Sequence, residues 1–176
     1  MDEMYIRNEV MLEMDAVSHN EGLARVAVAA FLAPCNPTLE EMSDIKTAVS
    51  EAVTNAIIHG YENLSGYETG DRRKENVQTY QFGEQESTEP GKVTIRCRLE
   101  KKLLTVEVED HGKGIEDIAL AMEPLFTTKP QLERSGMGFA FMEAFMDELT
   151  VESKPGYGTL VRMKKQLGRA PEGGEA

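Results

Sequence analysis

The chain has 176 residues and carries 31 acidic against 19 basic side chains, a formal net charge of −12 at pH 7. This charge argues against non-specific nucleic-acid binding, which needs a basic surface, but it permits binding of a basic or mixed protein surface. No apolar run reaches the ~18 residues that a membrane span needs, and the N-terminus lacks the basic and apolar regions of a secretory signal. We therefore expect a cytoplasmic protein. Cys35 and Cys97 lack metal-ligand or redox spacing, so we expect reduced, buried thiols.

The first elements are a strand and a helix. Alternation of apolar and polar residues predicts a strand over 5–14. Ser18 and Glu21 have the spacing of a capping box and open a helix over 19–33. The helical periodicity predicts that one stripe of this helix is buried. That stripe consists of Leu23, Val26, Ala27, Ala30 and Phe31.

The rest of the chain contains further helical and strand patterns around one core. Residues 62–91 are polar and show no sustained period, so we expect a disordered insertion. The tail over 166–176 is polar and glycine-rich, and we expect it to be flexible. A single core predicts a single domain over 1–165. The remaining elements are a long helix from the Thr38–Glu41 capping box to about His59, a hairpin of strands 92–99 and 103–109, a short helix after 116, a helix that ends near 148, and strands 149–153 and 158–165.

Three polar side chains form a column on the long helix. Glu51, Asn55 and His59 follow one another at a spacing of four, so they lie on one face, away from the apolar face. An amide oxygen is a hard, neutral ligand that suits magnesium, and a carboxylate one turn away can accept a proton from a hydroxyl that attacks a phosphate. For His59, a capping role is the simpler interpretation. The column alone is a weak signal, because any exposed helix face can carry it.

A second motif, DHGKG at 110–114, follows directly after a strand. Its glycines allow the backbone to approach a flat ring closely. Asp110 at the strand end can accept a hydrogen bond from an exocyclic amine such as that of adenine. A simple turn after a strand would give the same pattern.

Two further motifs lie in the last third of the chain. The sequence RSGMG at 134–138 precedes a helix, where small residues let phosphate oxygens reach backbone N–H groups and where Arg134 can pair with phosphate charge. A glycine-rich loop with a helix cap is the alternative interpretation. Gly158 and Thr159 start a strand, and the threonine hydroxyl could complete a ring pocket, although threonine is also a common strand former.

The order and spacing of these motifs resemble the GHKL family of ATP-binding domains, which histidine kinases, gyrase, MutL and some chaperones share. The sequences EAVTNAIIHGY, PLFTTKPQLERSGMGF and MDELTVES resemble, more narrowly, the anti-sigma factors of that family that also act as serine kinases. The resemblance covers nearly all of residues 4–165 outside the insertion. It implies an α/β (α+β) two-layer sandwich, in which helices cover one face of a mixed, mainly antiparallel sheet.

The resemblance also implies a role for each motif residue. Glu51 is the catalytic base, and Asn55 binds Mg²⁺ and the nucleotide, ATP or ADP. Asp110 reads the adenine amine. The other implied nucleotide contacts come from Gly112 and Gly114 at the ring, Thr159 beside Asp110, Gly136 and Gly138 at the phosphates, Arg134 and Ser135 at the terminal phosphates, and Thr128 within a lid over about 119–135.

The same resemblance implies protein partners. The similar proteins form homodimers, hold the sporulation sigma factor of RNA polymerase, sigma F, in an inactive complex, and phosphorylate a serine of the small STAS-type anti-anti-sigma protein that releases it. The exposed side of the first helix, with Glu21 and Arg25, belongs by resemblance to the surface that these partners share. From the residues alone, Arg25 is a solvated helix charge. No direct contact with nucleic acid or membrane is implied.

Two departures from the family pattern and three alternative functions accompany this interpretation. His111 stands where the family more often has Glu or Asn, and the insertion replaces a short connection, but we expect ATP binding to persist and the insertion to be tolerated.

The catalytic domain of a histidine kinase would need a dimerisation helix with a phosphoacceptor histidine, and His19 lies instead at a helix start after a strand. A MutL- or gyrase-type ATPase would need a downstream transducer domain. A module that binds ATP without catalysis is the third alternative, against which Glu51 argues.

Overall fold

The fold is built on a five-stranded sheet, whose neighbouring strands are, in order, Arg7–Asp15, Lys92–Glu100, Leu103–Asp110, Gly158–Gln166 and Glu148–Lys154. A computed structural model describes residues 7–61, 80–82, 85–87, 91–123 and 137–168, the two shortest ranges by their backbone alone. All four strand pairs of this sheet are antiparallel. In chain order, the described strands are β1 (Arg7–Asp15), β2 (Tyr80–Phe82), β3 (Gln85–Ser87), β4 (Lys92–Glu100), β5 (Leu103–Asp110), β6 (Glu148–Lys154) and β7 (Gly158–Gln166).

Helices cover one face of this sheet, which confirms the predicted two-layer sandwich. Alternate residues of the central strands, such as Ile95 on β4 and Val106 on β5, are buried beneath them. The helix Leu39–Asn55 contributes Ile45, Val49 and Val53, which are fully buried. No helix among the described residues is long and apolar enough to cross a membrane. The described helices are α1 (Asn20–Leu32), α2 (Leu39–Asn55), α3 (Ile118–Ala121) and α4 (Gly138–Phe145).

The opposite face of the sheet is charged. Glu107 on β5 accepts a hydrogen bond from Nε of Arg162 on β7 at 2.7 Å and one from Nη1 of Arg96 on β4 at 3.3 Å. The hydrogen bond from Arg162 is the largest influence on Glu107 and lowers the pKa of its carboxyl. Partly exposed pairs of this kind stabilise a fold only slightly. They therefore mark this face as solvated over the part of the sheet that the structure describes.

The buried face of α1 differs from the predicted stripe. The buried residues are Ala24, Val28 and Leu32, whereas Leu23 is 50% exposed and Val26 is 65% exposed. The prediction was wrong because α1 carries apolar or small residues on nearly every side, so periodicity could not identify the face that meets the sheet. The helix therefore presents apolar side chains to solvent.

The start of α1 also differs from the prediction. Its N-cap residue is His19, and no side chain caps it, so the predicted Ser18–Glu21 box is not formed. The Glu21 carboxylate instead accepts a short hydrogen bond from the hydroxyl of Ser50 on α2. Glu21 thus makes a tertiary contact with Ser50 instead of the predicted local capping contact with Ser18. The contact joins the first turn of α1 to α2.

The capping box at the start of α2 is confirmed and reaches the end of the last strand. Oγ1 of Thr38 accepts the N–H of Glu41 at 3.1 Å, and the N–H of Thr38 donates to Glu41 Oε2 at 2.8 Å. The other Glu41 oxygen accepts the N–H of Gly168 at 2.6 Å. Burial by itself raises the pKa of Glu41, but these hydrogen bonds outweigh it and lower the pKa. Gly168, which the sequence assigned to the tail, is therefore tied to α2, and Leu167 of the same segment is buried.

The cysteines differ in burial. Cys97 is buried on β4, and burial raises the pKa of its thiol to about 12. Cys35 is only partly buried, because it ends the 3₁₀ turn Ala33–Cys35 after α1. Burial is thus confirmed for Cys97 alone.

The ends of the insertion lie in contact with each other. The Tyr61 hydroxyl donates to the carbonyl of Lys92 at 2.7 Å and accepts the N–H of His111 at 2.8 Å. A Cβ on Gly91 would lie 2.3 Å from the Tyr61 ring, so glycine is needed there. Within the insertion, β2 and β3 form an antiparallel pair, which the sequence analysis did not predict. The signal was present, since a Gly-Glu dipeptide between short strands is typical of a hairpin.

Because Tyr61 and Gly91 are in contact, we predict that a short Gly-Ser linker can replace residues 62–90. The closure free energy of a loop changes by only about 0.6 kcal/mol for each halving of its length. The midpoint of thermal unfolding, followed by circular dichroism, should stay within about 4 °C of the full chain. As a control, Tyr61→Phe in the full chain should lower the midpoint, because it removes both hydroxyl contacts. Loss of the cooperative transition in the shortened chain would contradict the prediction.

Candidate functional site

A cavity of about 470 Å³ opens between the end of α2, strands β5 and β7, and the start of α4. Residues from all four sequence motifs line it: Asn55, Asp110, Gly114, Gly138 and Thr159. Gly112 and Glu51 do not line the cavity, but Gly112 packs against Gly60 and Glu51 lies close to Gly138, and both of these glycines line it. Thr128, Arg134, Ser135 and Gly136 lie outside the described residues, as does most of the lid over 119–135, so their roles stay predictions.

The long helix ends differently from the prediction. The α-helix stops at Asn55 and continues as a π-helical turn over Ala56–Gly60 instead of running to His59. Single π turns are frequent at functional sites. Here the wider turn ends with the Gly60 carbonyl accepting the N–H of Lys113 at 2.9 Å. His59 lines the cavity from this turn.

Asp110 is the last residue of β5 and is 4% exposed. Its Oδ1 accepts the N–H of Gly112 at 2.9 Å. Burial is the largest influence and raises the pKa of Asp110 to about 6, against the lowering effect of backbone hydrogen bonds from Gly112 and Thr159. The site thus holds a buried carboxylate that would gain from one more hydrogen-bond donor.

Glycines surround this carboxylate because no side chain fits. A Cβ on Gly60 would lie 2.8 Å from Oδ1 of Asp110, and a Cβ on Gly112 would lie 2.0 Å from the Gly60 carbonyl oxygen. Gly158, with φ +106°, packs in the same way against the carbonyl oxygen of Asp110 at 2.0 Å. Separations under 3.0 Å are not compatible with a real Cβ. The end of α2, the loop after β5 and the start of β7 therefore meet at Asp110.

Gly114 has a different partner. Its φ is +72°, which is unfavourable for residues with a side chain. A Cβ there would lie 2.3 Å from the carbonyl oxygen of Lys154, at the end of β6. Gly114 thus lets the DHGKG loop cross closely over the turn between β6 and β7.

Ser153 is a site residue that the sequence analysis missed. Its hydroxyl accepts the N–H of Ile115 at 2.8 Å, donates to the Gly158 carbonyl at 2.9 Å and lies 2.9 Å from Oγ1 of Thr159. A hydroxyl has one proton, so if it goes to Gly158, the Thr159 hydroxyl must donate to Ser153. Thr159 then presents acceptor lone pairs to the cavity. The register pairs Ser153 with Thr159, but this pairing was visible only once the strand alignment was known.

At the other end of the cavity, the first residue of α4 lies close to Glu51 and Asn55 of the polar column on α2. A Cβ on Gly138, the first residue of α4, would lie 3.2 Å from Oε2 of Glu51 and 3.2 Å from Nδ2 of Asn55. The first N–H groups of a helix have no partner within the helix and favour an anion. The structure thus brings together a carboxylate, an amide and a helix N-terminus.

Glu21 and Arg25 lie away from this cavity, on α1. Oε1 of Glu21 is 3.5 Å from Nη1 of Arg25, and Arg25 is 44% exposed. The pair is a surface ion pair, which by itself stabilises the fold only slightly.

The raised pKa of Asp110 gives a pH prediction. An unfolded Asp has a pKa of about 3.9, so between that value and about 6 the folded chain binds more protons than the unfolded chain. Stability should therefore fall as the pH rises through this window, by about 3 kcal/mol relative to an Asp110→Asn variant, and stay level above pH 7. The measurement is urea unfolding from pH 4 to pH 8, with the carboxyl carbon of Asp110 titrated by NMR. A titration midpoint below pH 4 would contradict the prediction.

Comparison with known proteins connects this geometry to a family. The sequence model of the histidine kinase-, DNA gyrase B-, and HSP90-like ATPases matches residues 41–169. In the known structure of the RsbU and RsbW domains of a Mycobacterium tuberculosis protein, a region matches 93% of this chain with a TM-score of 0.59. The identity is 18% and this chain spans 33% of that one, so the likeness concerns the fold alone.

Curated relatives are much more similar in sequence. The anti-sigma F factor of Caldanaerobacter subterraneus subsp. tengcongensis is 49% identical over 94% of this chain and 99% of its own. Those of Clostridium novyi (51%, over 91% and 95%) and Bacillus subtilis (46%, over 94% and 97%) are similar to the same degree. The chain belongs to the histidine kinase-, DNA gyrase B-, and HSP90-like ATPase family, and over nearly its whole length it is similar to that family's anti-sigma F factors.

Proposed function

We propose that this chain is an anti-sigma factor and a protein serine kinase. It binds and inhibits a sporulation sigma factor of the sigma F type, and it uses Mg-ATP to phosphorylate a serine of a STAS-type anti-anti-sigma protein. The observation that carries the proposal is one cavity lined by a buried acceptor, Asp110, and by Asn55 and Gly138, with the Glu51 carboxylate close to Gly138 at the N-terminus of α4. The similarity to anti-sigma F factors supports the choice of partners. The proposed working form is a cytoplasmic homodimer.

The buried end of the cavity suits adenine. A buried carboxylate gains most from a donor that fills its remaining acceptor site, and the exocyclic amine of adenine is such a donor. Thr159, whose hydroxyl proton can point to Ser153, offers a second acceptor nearby. The cavity of about 470 Å³ that Asp110 lines leaves room for a flat ring.

The other end suits phosphates and a magnesium ion. Among the described residues, no cluster of three or more His, Cys, Asp or Glu side chains forms a metal site. A single amide oxygen fits Mg²⁺, which keeps several waters and takes further ligands from nucleotide phosphates. Asn55 would hold the ion, which when bound would neutralise phosphate charge. The N-terminus of α4 would face the phosphate oxygens.

Glu51 is the proposed general base. Its carboxylate is one turn from Asn55 and lies against the first residue of α4. In the proposed step, it accepts the proton of the substrate serine hydroxyl, whose oxygen forms a bond to the terminal phosphorus while the bond from that phosphorus to the leaving ADP oxygen breaks. A chain that only binds ATP would need no base at this position.

The proposed partner surface includes Glu21 and Arg25 on α1. The guanidinium of Arg25 is held beside Glu21, which is in turn held by Ser50 on α2. A cation fixed in this way can pair with a partner carboxylate at a small entropic cost. The surface lies outside the nucleotide cavity, so binding and catalysis can be tested separately.

The central test is phosphate transfer from labelled Mg-ATP to the anti-anti-sigma protein. Glu51→Gln should lower the transfer rate by about 100-fold or more, the usual contribution of a general base, while ADP binding survives. Asn55→Ala should abolish transfer and weaken Mg-ATP binding. The matched control is Glu40→Gln, in the first turn of the same helix and exposed, which should transfer at the wild-type rate.

Wild-type transfer by Glu51→Gln would remove the catalytic role of Glu51. If the wild-type chain binds ATP but transfers no phosphate, the chain is a nucleotide-gated binding module.

A second prediction concerns Ser153. Ser153→Ala removes the group that orients the Thr159 hydroxyl, so ADP affinity should fall by about 3- to 10-fold, as for the loss of a hydrogen bond. Thr150→Ala, on the same strand and exposed, is the control and should leave affinity unchanged. Isothermal titration calorimetry gives both affinities, and thermal unfolding confirms that each variant is folded. Unchanged ADP affinity in Ser153→Ala would refute the positioning role.

A further inference from the structure

The loop that follows Asp110 is held by hydrogen bonds at three consecutive backbone N–H groups. The three acceptors are the Tyr61 hydroxyl for His111 at 2.8 Å, Oδ1 of Asp110 for Gly112 at 2.9 Å, and the Gly60 carbonyl for Lys113 at 2.9 Å. Of these acceptors, only the Tyr61 hydroxyl belongs to a side chain from outside the DHGKG motif. Tyr61 therefore binds the backbone directly after the carboxylate that the proposed function assigns to adenine.

The orientation of the Tyr61 hydroxyl is fixed by its second contact. The hydroxyl donates to the Lys92 carbonyl at 2.7 Å, and a carbonyl can only accept. Because a hydroxyl has one proton, a lone pair is left to face the N–H of His111. Burial is the largest influence on Tyr61 and raises the pKa of its hydroxyl, so the proton is retained at neutral pH. Tyr61 thus presents an acceptor in one direction only.

The ring of Tyr61 and the acceptor at Lys92 both belong to the framework of the sheet. The ring packs against the hydrophobic core, and a Cβ on Gly91 would lie 2.3 Å from it. The Gly91 carbonyl accepts the N–H of Ala16, directly after β1, at 2.7 Å. Nζ of Lys92 is 2.6 Å from Oδ1 of Asp15 at the end of β1. Tyr61 therefore ties the loop to a fixed part of the fold.

This contact limits the position of the loop more than it stabilises the fold. His111 is exposed, so a water molecule can replace the Tyr61 hydroxyl as the partner of its N–H. A water molecule satisfies the N–H but does not tie it to the sheet. Without the hydroxyl, the backbone between Asp110 and Gly112 can shift, and the N–H of Gly112 is one of the donors that orient the Asp110 carboxylate.

We propose that Tyr61 is a positioning residue for the nucleotide site, because its hydroxyl holds the backbone after Asp110 where the carboxylate can accept the adenine amine. This inference rests on the proposed function, since it concerns the adenine end of the same cavity. Tyr61 is not among the described residues that line this cavity. It acts through His111 and Asp110 and does not touch the nucleotide.

The test compares three variants of the full chain. Tyr61→Phe removes the hydroxyl and keeps the ring. Tyr157→Phe makes the same change at an exposed tyrosine in the β6–β7 turn, next to Gly156, whose N–H donates to the carbonyl of Lys113 in the same loop. Thr38→Ala removes the cap of α2 and lowers stability without changing a residue of the cavity.

Three measurements are made on each variant. Calorimetry gives the affinity for ADP. Phosphate transfer to the anti-anti-sigma protein gives kcat and the KM for ATP. NMR of the chain without nucleotide gives the hydrogen exchange rates of the backbone amides of residues 111–113, and thermal unfolding gives the midpoint.

Tyr61→Phe should weaken ADP binding by about 3- to 10-fold, as for the loss of one hydrogen bond. It should raise the KM for ATP by a similar factor and leave kcat close to the wild-type value, because the lost contact supports binding and not the chemical step. The amide of His111 should exchange faster. Thr38→Ala should lower the unfolding midpoint but keep the wild-type ADP affinity and KM, and Tyr157→Phe should match the wild type in all measurements.

The outcomes separate this inference from the proposed function. If Tyr61→Phe keeps the wild-type ADP affinity and KM and only lowers the unfolding midpoint, as Thr38→Ala does, Tyr61 is a structural residue and the proposal is overturned. A lower kcat at unchanged KM would also overturn it, because the loss would then lie outside nucleotide binding. Equal losses in Tyr157→Phe would overturn it as well, since the effect would not depend on the contact with His111. If the wild type binds no ADP, the proposed function itself fails, and the positioning role fails with it.

Discussion

The close packing of backbone around Asp110 is the constraint on which the site depends. A Cβ on Gly60, at the end of the π turn after α2, would collide with the Asp110 carboxylate. A Cβ on Gly112 in the loop after β5 would collide with the Gly60 carbonyl, and one on Gly158 at the start of β7 would collide with the Asp110 carbonyl. Three separate elements are therefore fixed relative to one buried acceptor. The same burial that raises the pKa of Asp110 to about 6 makes it selective, because a buried charge without enough donors is costly.

The helix α2 connects the site around Asp110 to the core and to α1. Its core face is fully buried at Ile45, Val49 and Val53, so the polar column on its other side is held rigidly. Asn55 and Glu51 thereby keep a fixed place relative to Asp110. Ser50, the residue before Glu51, binds Glu21 on α1. The helix α2 therefore carries the proposed catalytic residues Glu51 and Asn55, and through Ser50 it also contacts the proposed partner surface on α1.

Local patterns predicted much of the fold, and pairwise tertiary contacts account for what was missed. The alternation in β4 and β5 and the Thr38–Glu41 box are local signals, and the structure has them within a residue or two. The buried face of α1 was misplaced because nearly every side of that helix is apolar. The contacts of the Tyr61 hydroxyl with His111 and of the Ser153 hydroxyl with Ile115 join residues that are distant in sequence, which periodicity cannot detect.

Base selectivity tests the central claim most directly, because it asks whether Asp110 accepts an exocyclic amine. Guanine presents a carbonyl oxygen where adenine presents its amine, so two acceptors would meet at Asp110. Calorimetric titration of the full chain with ATP and GTP should show GTP binding at least about 10-fold more weakly, and Asp110→Asn should lose that preference. Equal affinity of the wild type for ATP and GTP would contradict the account.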